Sequence, residues 1–277
     1  MDPALREEIE GLTRAPEISY DPARCIGCQA CVAACAQGAH RFSAAGAHAY
    51  DPDRCVRCGA CVDTCYAGAM ERLGQTRTAA DVFAVVARDR PFYANSGGGM
   101  TLSGGEPLAQ PEFTAALLRL SRQADVPTAL ETAALAPWEL LESLLPLVDY
   151  WICDIKHADS GRHRELIGVG NERICANLER LARQPARLLL RLPLVPGLTD
   201  EPPALAALGR LVARLRPTEG LEIMPYHRLG SGKYERLGRP YPLADLPEAT
   251  DDDIARAAGH LTQAGAPRVF CQRLPDL

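Results

Sequence analysis

The stretch Cys25-Ile26-Gly27-Cys28-Gln29-Ala30-Cys31-Val32-Ala33-Ala34-Cys35 and its counterpart Cys55, Cys58, Cys61 and Cys65, thirty residues on, decide how the chain divides. Both read C-x2-C-x2-C-x3-C, after Asp21-Pro22-Ala23-Arg24 and Asp51-Pro52-Asp53-Arg54, so the motif is an internal repeat. Three thiolates two residues apart wrap one corner of a four-iron cube, and the fourth, past a short helical turn, usually reaches the neighbouring cluster. The spacing predicts two [4Fe-4S] clusters, one on Cys25, Cys28, Cys31 and Cys65, the other on Cys55, Cys58, Cys61 and Cys35. Zinc and disulfides are the competing readings, but zinc typically takes two C-x2-C pairs per ion. Ala36 and Tyr66 stand where a proline usually follows the fourth cysteine, which touches the turn and not the ligands.

Outward from the repeat, 277 residues leave room for one large domain beside a small one. The reading divides them into an N-terminal remnant (1–20), a ferredoxin-like piece (21–72) and a larger domain (76–277). The small piece has too few apolar residues for a core of its own and needs its clusters to hold together. A net charge of −5 argues against a nucleic-acid partner. No apolar run approaches the ~18 residues of a membrane span, and no leader pattern opens the chain. Eight cluster cysteines imply a reducing, cytoplasmic compartment. Cys153, Cys175 and Cys271 sit in apolar surroundings and read as ordinary buried thiols.

From Thr76 a different pattern begins. Helices are predicted from Thr78, from Pro111, near 137–147, over 171–184, over 205–215 and from Thr250. Strands are predicted at 98–103, 127–132, 149–156, 188–192 and 221–225, with a last one at 269–271. Alternation with short loops means parallel strands joined by crossover helices. The fold class is α/β, a partial (β/α) barrel carrying the two-cluster insert. An open doubly wound sheet is the alternative.

In such architectures ligands bind at the C-terminal strand ends. Those ends carry Gly104, Gly105 and Glu106, then Glu131, Asp154 with Lys156, Arg191 and His227. Singly, each has a bland explanation: helix caps, an ion pair, a loop histidine. Together they suit a ligand with an ammonium for the acids and a carboxylate for Lys156 or Arg191, one resembling an amino acid. The glycines would let backbone pass close.

Gly97-Gly98-Gly99-Met100-Thr101-Leu102-Ser103-Gly104-Gly105-Glu106-Pro107-Leu108 resembles the cofactor-binding signature of radical S-adenosylmethionine enzymes. More narrowly, it is similar to that of the activating enzymes of glycyl radical enzymes, of the pyruvate formate-lyase activating type. Asp154-Ile155-Lys156-His157, the run Arg191 to Asp200, and Met224-Pro225-Tyr226-His227 resemble further segments of that family. The double-cluster insert points to its ferredoxin-containing branch. The resemblance implies that Gly104, Gly105 and Glu106 bind the methionyl amino group, with Asp154 and Lys156 supporting that end. Arg191 and His227 would lie toward the rest of the cofactor. Glu131-Thr132-Ala133-Ala134 corresponds to a strand end that is usually an acid and a threonine followed by a glycine-containing turn. The implied partners are a glycyl radical enzyme and an electron donor such as flavodoxin or ferredoxin.

One element of the resemblance has no match. The family holds its radical-generating cluster on a C-x3-C-x2-C triplet before the insert, and no cysteine precedes Cys25. A third [4Fe-4S] cluster is therefore expected only if such a triplet lies upstream, and the chain as given is expected to be truncated and inactive. Met1-Asp2-Pro3 fits the place just after the triplet, so a miscalled start is the favoured explanation. The other reading is a non-catalytic iron–sulfur electron carrier or S-adenosylmethionine-binding protein.

Overall fold

Leu188-Leu189-Leu190 lies at the centre of a six-stranded parallel sheet, where residues on both faces are covered; hence the unbroken apolar run. The computed structural model describes residues 17–74, 77–237 and 239–272. The sheet comprises β5 (Met100–Leu102), β6 (Thr128–Thr132), β7 (Tyr150–Asp154), β8 (Arg187–Leu194), β9 (Gly220–Pro225) and β10 (Val269–Phe270), side by side in sequence order. A doubly wound sheet reverses its strand order part-way, and no reversal occurs among the described strands. With right-handed crossovers, sequential order puts the helices on one face, as in a partial barrel.

Those helices include α3 (Ala79–Val86), α4 (Arg90–Ser96), α5 (Pro111–Gln123), α6 (Trp138–Leu144), α7 (Ser160–Ile167), α8 (Glu172–Leu181), α9 (Pro202–Leu215) and α11 (Asp251–Gln263). Thr78 and Thr250 open α3 and α11 with complete capping boxes, using Asp81 and Asp253. Leu130, Trp151, Leu190, Leu192 and Ile223 point to the helical side and join Leu118, Leu178, Val212 and Leu261 in one buried core. The strands alternate, so Glu131, Ile152, Asp154, Leu189, Arg191 and Glu222 share the opposite face. Two helices escape the periodic pattern. Leu166 and Ile167 are the only large apolar residues of α7, which is started by Asp159 accepting from the Arg162 amide at 2.7 Å, and α4 is short with no buried residue.

The insert repeats one motif twice: α1 (Ala30–Ala34) and α2 (Ala60–Asp63) each follow a cysteine loop. β1 (Glu17–Tyr20) pairs antiparallel with β4 (Met70–Leu73), and β2 (His40–Phe42) with β3 (His48–Tyr50). Only Ile18, Cys31, Cys61 and Met70 form its buried cluster. By contact density the chain has two compact units, Arg77–Tyr226 with 246 onward, and the insert with His227–Asp245. That last segment contains α10 (Ser231–Arg236), and the sequence reading leaves it with the larger domain. It is tied to the insert by Arg236–Glu71 at 2.7 Å and Arg239–Glu17 at 3.0 Å. Residues 1–16, with the Met1-Asp2-Pro3 resemblance and most of the N-terminal remnant, lie outside the described residues.

Candidate functional site

In the insert, each cysteine loop starts on a capped turn: Asp21 accepts from the Ala23 amide and Asp51 from the Asp53 amide, at 3.0 and 3.1 Å. Each ends on a residue at positive φ, Gln29 (60°) and Gly59 (85°), which points the following helix back over its loop. The result brings the eight thiols together in two sets. One cavity is lined by Cys25, Cys28, Cys31 and Cys65, the other by Cys35, Cys55, Cys58 and Cys61, so the fourth cysteine of each run is exchanged. Tyr20 and Tyr50 place their hydroxyls at Cys25 and Cys55, and burial first, then those thiols, push both phenols well above their usual range. Burial also raises the Cys31 thiol, and burial with the neighbouring Cys55 raises Cys61 to about 11. Thiols held protonated this way release their protons as metal binds, so ligation and folding are coupled.

In the sheet unit the charged side chains form a connected row. The Ser103 hydroxyl donates to Glu131 Oε2 at 3.1 Å. Glu131 Oε1 lies 3.2 Å from Arg191 Nη1, and Arg191 Nε donates to Glu222 Oε2 at 2.7 Å. Burial pulls the Arg191 guanidinium down, but Glu222, Glu131 and Asp154 outweigh it and the net direction is up. Asp154 and Lys156 pair at 3.0 Å, both partly exposed. Glu106 is held by its own chain: one oxygen accepts from the Leu108 amide (3.0 Å) and the Thr132 hydroxyl (2.7 Å), the other from the Ala133 amide (2.9 Å). A carboxylate has about four acceptor positions, so one is left over. Gly104, at φ 118°, and Gly105 face open space, where an added Cβ would meet nothing within 4 Å. His227 belongs to the unit containing the insert, where its Nδ1 accepts from the Leu229 amide at 3.4 Å. A cavity of about 890 Å³ is lined by α5, α6 and α8 and contains none of these residues.

Comparison with known proteins gives this geometry a context. The radical SAM superfamily matches residues 55–208, more than half the chain, and a 4Fe-4S dicluster domain matches residues 24–69. The choline trimethylamine-lyase activating enzyme of Oleidesulfovibrio alaskensis is 39% identical over 255 residues, 89% of this chain and 81% of that protein. This chain belongs to the radical S-adenosylmethionine activating enzymes of glycyl radical enzymes. The isethionate sulfite-lyase activating enzyme of Nitratidesulfovibrio vulgaris is likewise 39% identical, over 86% of this chain and 78% of its own length. A solved domain of a pyruvate-formate lyase-activating enzyme from Bacteroides vulgatus aligns with a TM-score of 0.53 at 25% identity, covering 63% of this chain and 98% of that one.

Iron–sulfur clusters and S-adenosylmethionine are the cofactors of the matched families, and the residues fit them. Each cavity of the insert offers four thiols. The strand ends offer both signs of charge beside a glycine pair without side chains. Two members of the row, Ser103 and Glu222, and the Thr132 hydroxyl that holds Glu106 are absent from the sequence reading's site. Glu222 carried the plainest signal, a lone acid inside Leu221-Glu222-Ile223-Met224, yet it is 1% exposed and needs the register with Arg191 to acquire a meaning. Ala134 is buried at φ 54°, in the left-handed region that favours glycine, and is fixed by the Asn177 amide on its carbonyl at 2.8 Å.

Proposed function

We propose that this chain binds S-adenosylmethionine across the charged face of its parallel sheet and, in a protein that also carries the C-x3-C-x2-C triplet of the radical cluster, installs a radical on a backbone glycine of a partner enzyme. Overall, one electron and one S-adenosylmethionine are consumed per glycine hydrogen removed, giving methionine, 5′-deoxyadenosine and the glycyl radical. When bound, the cofactor and a reduced iron–sulfur centre supply that one-electron chemistry. The chain's own residues bind and orient. Gly104 and Gly105 let the methionyl end lie against backbone, and Glu106, whose carboxylate is clamped by Thr132 and the Ala133 amide, offers its remaining acceptor to the ammonium. Lys156 exchanges Asp154 for the methionyl carboxylate. Arg191, fixed from both sides by Glu131 and Glu222, faces the rest of the cofactor.

The insert carries two [4Fe-4S] clusters in this reading, on Cys25, Cys28, Cys31 and Cys65 and on Cys55, Cys58, Cys61 and Cys35. They relay electrons from a donor such as flavodoxin or ferredoxin in a reducing cytoplasm. The observation that carries the proposal is the pairing, in one chain, of two four-thiol cavities with the Ser103–Glu131–Arg191–Glu222 row. The names of two relatives, the activating enzymes of choline trimethylamine-lyase and isethionate sulfite-lyase, support a lyase of that kind as the partner. The test reconstitutes the protein anaerobically and incubates it with S-adenosylmethionine, a reductant and such a lyase. An organic radical on the lyase by electron paramagnetic resonance, with matching 5′-deoxyadenosine, is expected. The proposal is overturned if a form that carries the C-x3-C-x2-C triplet, fully loaded with iron and binding S-adenosylmethionine, yields neither product with any of these lyases.

A further inference from the structure

The two halves of the insert superpose residue on residue at an offset of thirty, and the strand pairing shows it: Tyr20 faces Met70 as Tyr50 faces His40, and Ile18 faces Arg72 as His48 faces Phe42. At two positions, buried or partly buried, the halves differ in chemistry. Where one half has Ile18 and Met70, the other has His48 and His40. Those imidazoles touch. His40 Nδ1 and His48 Nε2 are 3.1 Å apart, and His48 Nε2 is 3.7 Å from Cys31 Sγ. His48 lines the cavity of Cys25, Cys28, Cys31 and Cys65, whereas His40 lines that of Cys35, Cys55, Cys58 and Cys61.

The tautomer follows from what each nitrogen meets. His48 Nδ1 is buried with no partner, so a proton there would be an orphaned donor. The proton belongs on Nε2, which then donates to His40 Nδ1 and toward Cys31 Sγ at once. Tyr20 edge-on at 4.3 Å and Phe42 stacked at 4.7 Å hold the ring in that pose.

We propose that His48 is a positioning residue for electron flow: its Nε2–H, shared between His40 and Cys31, raises the reduction potential of the cluster on Cys25, Cys28, Cys31 and Cys65 above that of its twin. A donor to a ligand sulfur favours the reduced, more negative cluster. The matching position in the other half is Ile18, which has no proton to give. The inequality gives the relay a preferred resting place for the electron. This rests on the ligand sets proposed above.

The test measures both cluster potentials by anaerobic redox titration of the reconstituted protein, alongside iron content. His48→Ile, which copies the other half, should lower one potential by about 59 mV, a tenfold change in its reduced-to-oxidised ratio, and leave the other in place. His40→Met frees the His48 proton for sulfur alone, so the same potential should hold or rise. A packing role would move both variants in one direction. Eight irons with both potentials unmoved in His48→Ile, or equal falls in both variants, overturn the proposal. About four irons in the wild-type insert would instead overturn the ligand sets. One zinc per chain beside the irons, lost in both variants, would mark a separate Cys31–His40–His48 metal site and also overturn it.

Discussion

The insert and the sheet unit solve the same problem by opposite means. The sheet unit buries a contiguous core, with Leu130, Trp151, Leu190, Val212 and Leu261 all essentially inaccessible, and can place charge on its other face. The insert's buried apolar cluster is four residues, two of them cysteines, and Ile26 and Val56 in its ligand loops are left 69% and 63% exposed. What holds one is apolar area; what holds the other is metal ligation. A mutation should therefore be felt as stability in the sheet unit and as iron content in the insert.

The largest effect is expected at the exchanged cysteines. Cys35→Ser should cost the cluster of Cys55, Cys58 and Cys61, about four of eight irons, and spare the one nearer in sequence. Cluster-resolved spectroscopy checks it; loss of the cluster on Cys25, Cys28 and Cys31 would break the crossed arrangement. In the sheet unit, Glu222→Ala leaves the half-buried Arg191 with one carboxylate fewer. It should cost about 3 kcal/mol in denaturant unfolding, with iron unchanged. A change under about 0.5 kcal/mol would mean the row is not structurally coupled.

Glu106→Gln sets an amide against donors that now meet carboxylate oxygens. A stability loss of about 1–2 kcal/mol is expected, together with at least about tenfold weaker S-adenosylmethionine binding in anaerobic titration. Stability loss with unchanged affinity would reduce Glu106 to a cap. The smallest effect is expected for Ala134→Gly. Relief of about 1 kcal/mol of left-handed strain nearly cancels about 0.8 kcal/mol for the lost buried methyl. A shift of more than about 1 kcal/mol in either direction would show that one of the two terms is wrong.

The two units also differ in how far the sequence discloses them. Strand positions in the sheet unit follow from apolar runs bounded by turns, and the helices over 171–184 and from Thr250 from their stripes and caps. The strand-end site is legible only in part. Glu131, Asp154, Lys156 and Arg191 stand out as charges at strand ends, but Glu222 and Ser103 gain their roles from register, which links residues 31 and 28 positions away. The ligand partition in the insert follows from spacing because a metal cluster constrains few atoms tightly. The His40–His48 contact does not, since it depends on two strands pairing so that side chains eight residues apart meet.

The division of labour between the units is tested most directly by hydrogen exchange on the reconstituted protein before and after anaerobic iron removal. The account predicts that amides of β1 to β4 and the cysteine loops lose protection without iron, while β6, β7, β8 and β9 keep theirs. Retained protection in the insert, or simultaneous loss in both units, would contradict it.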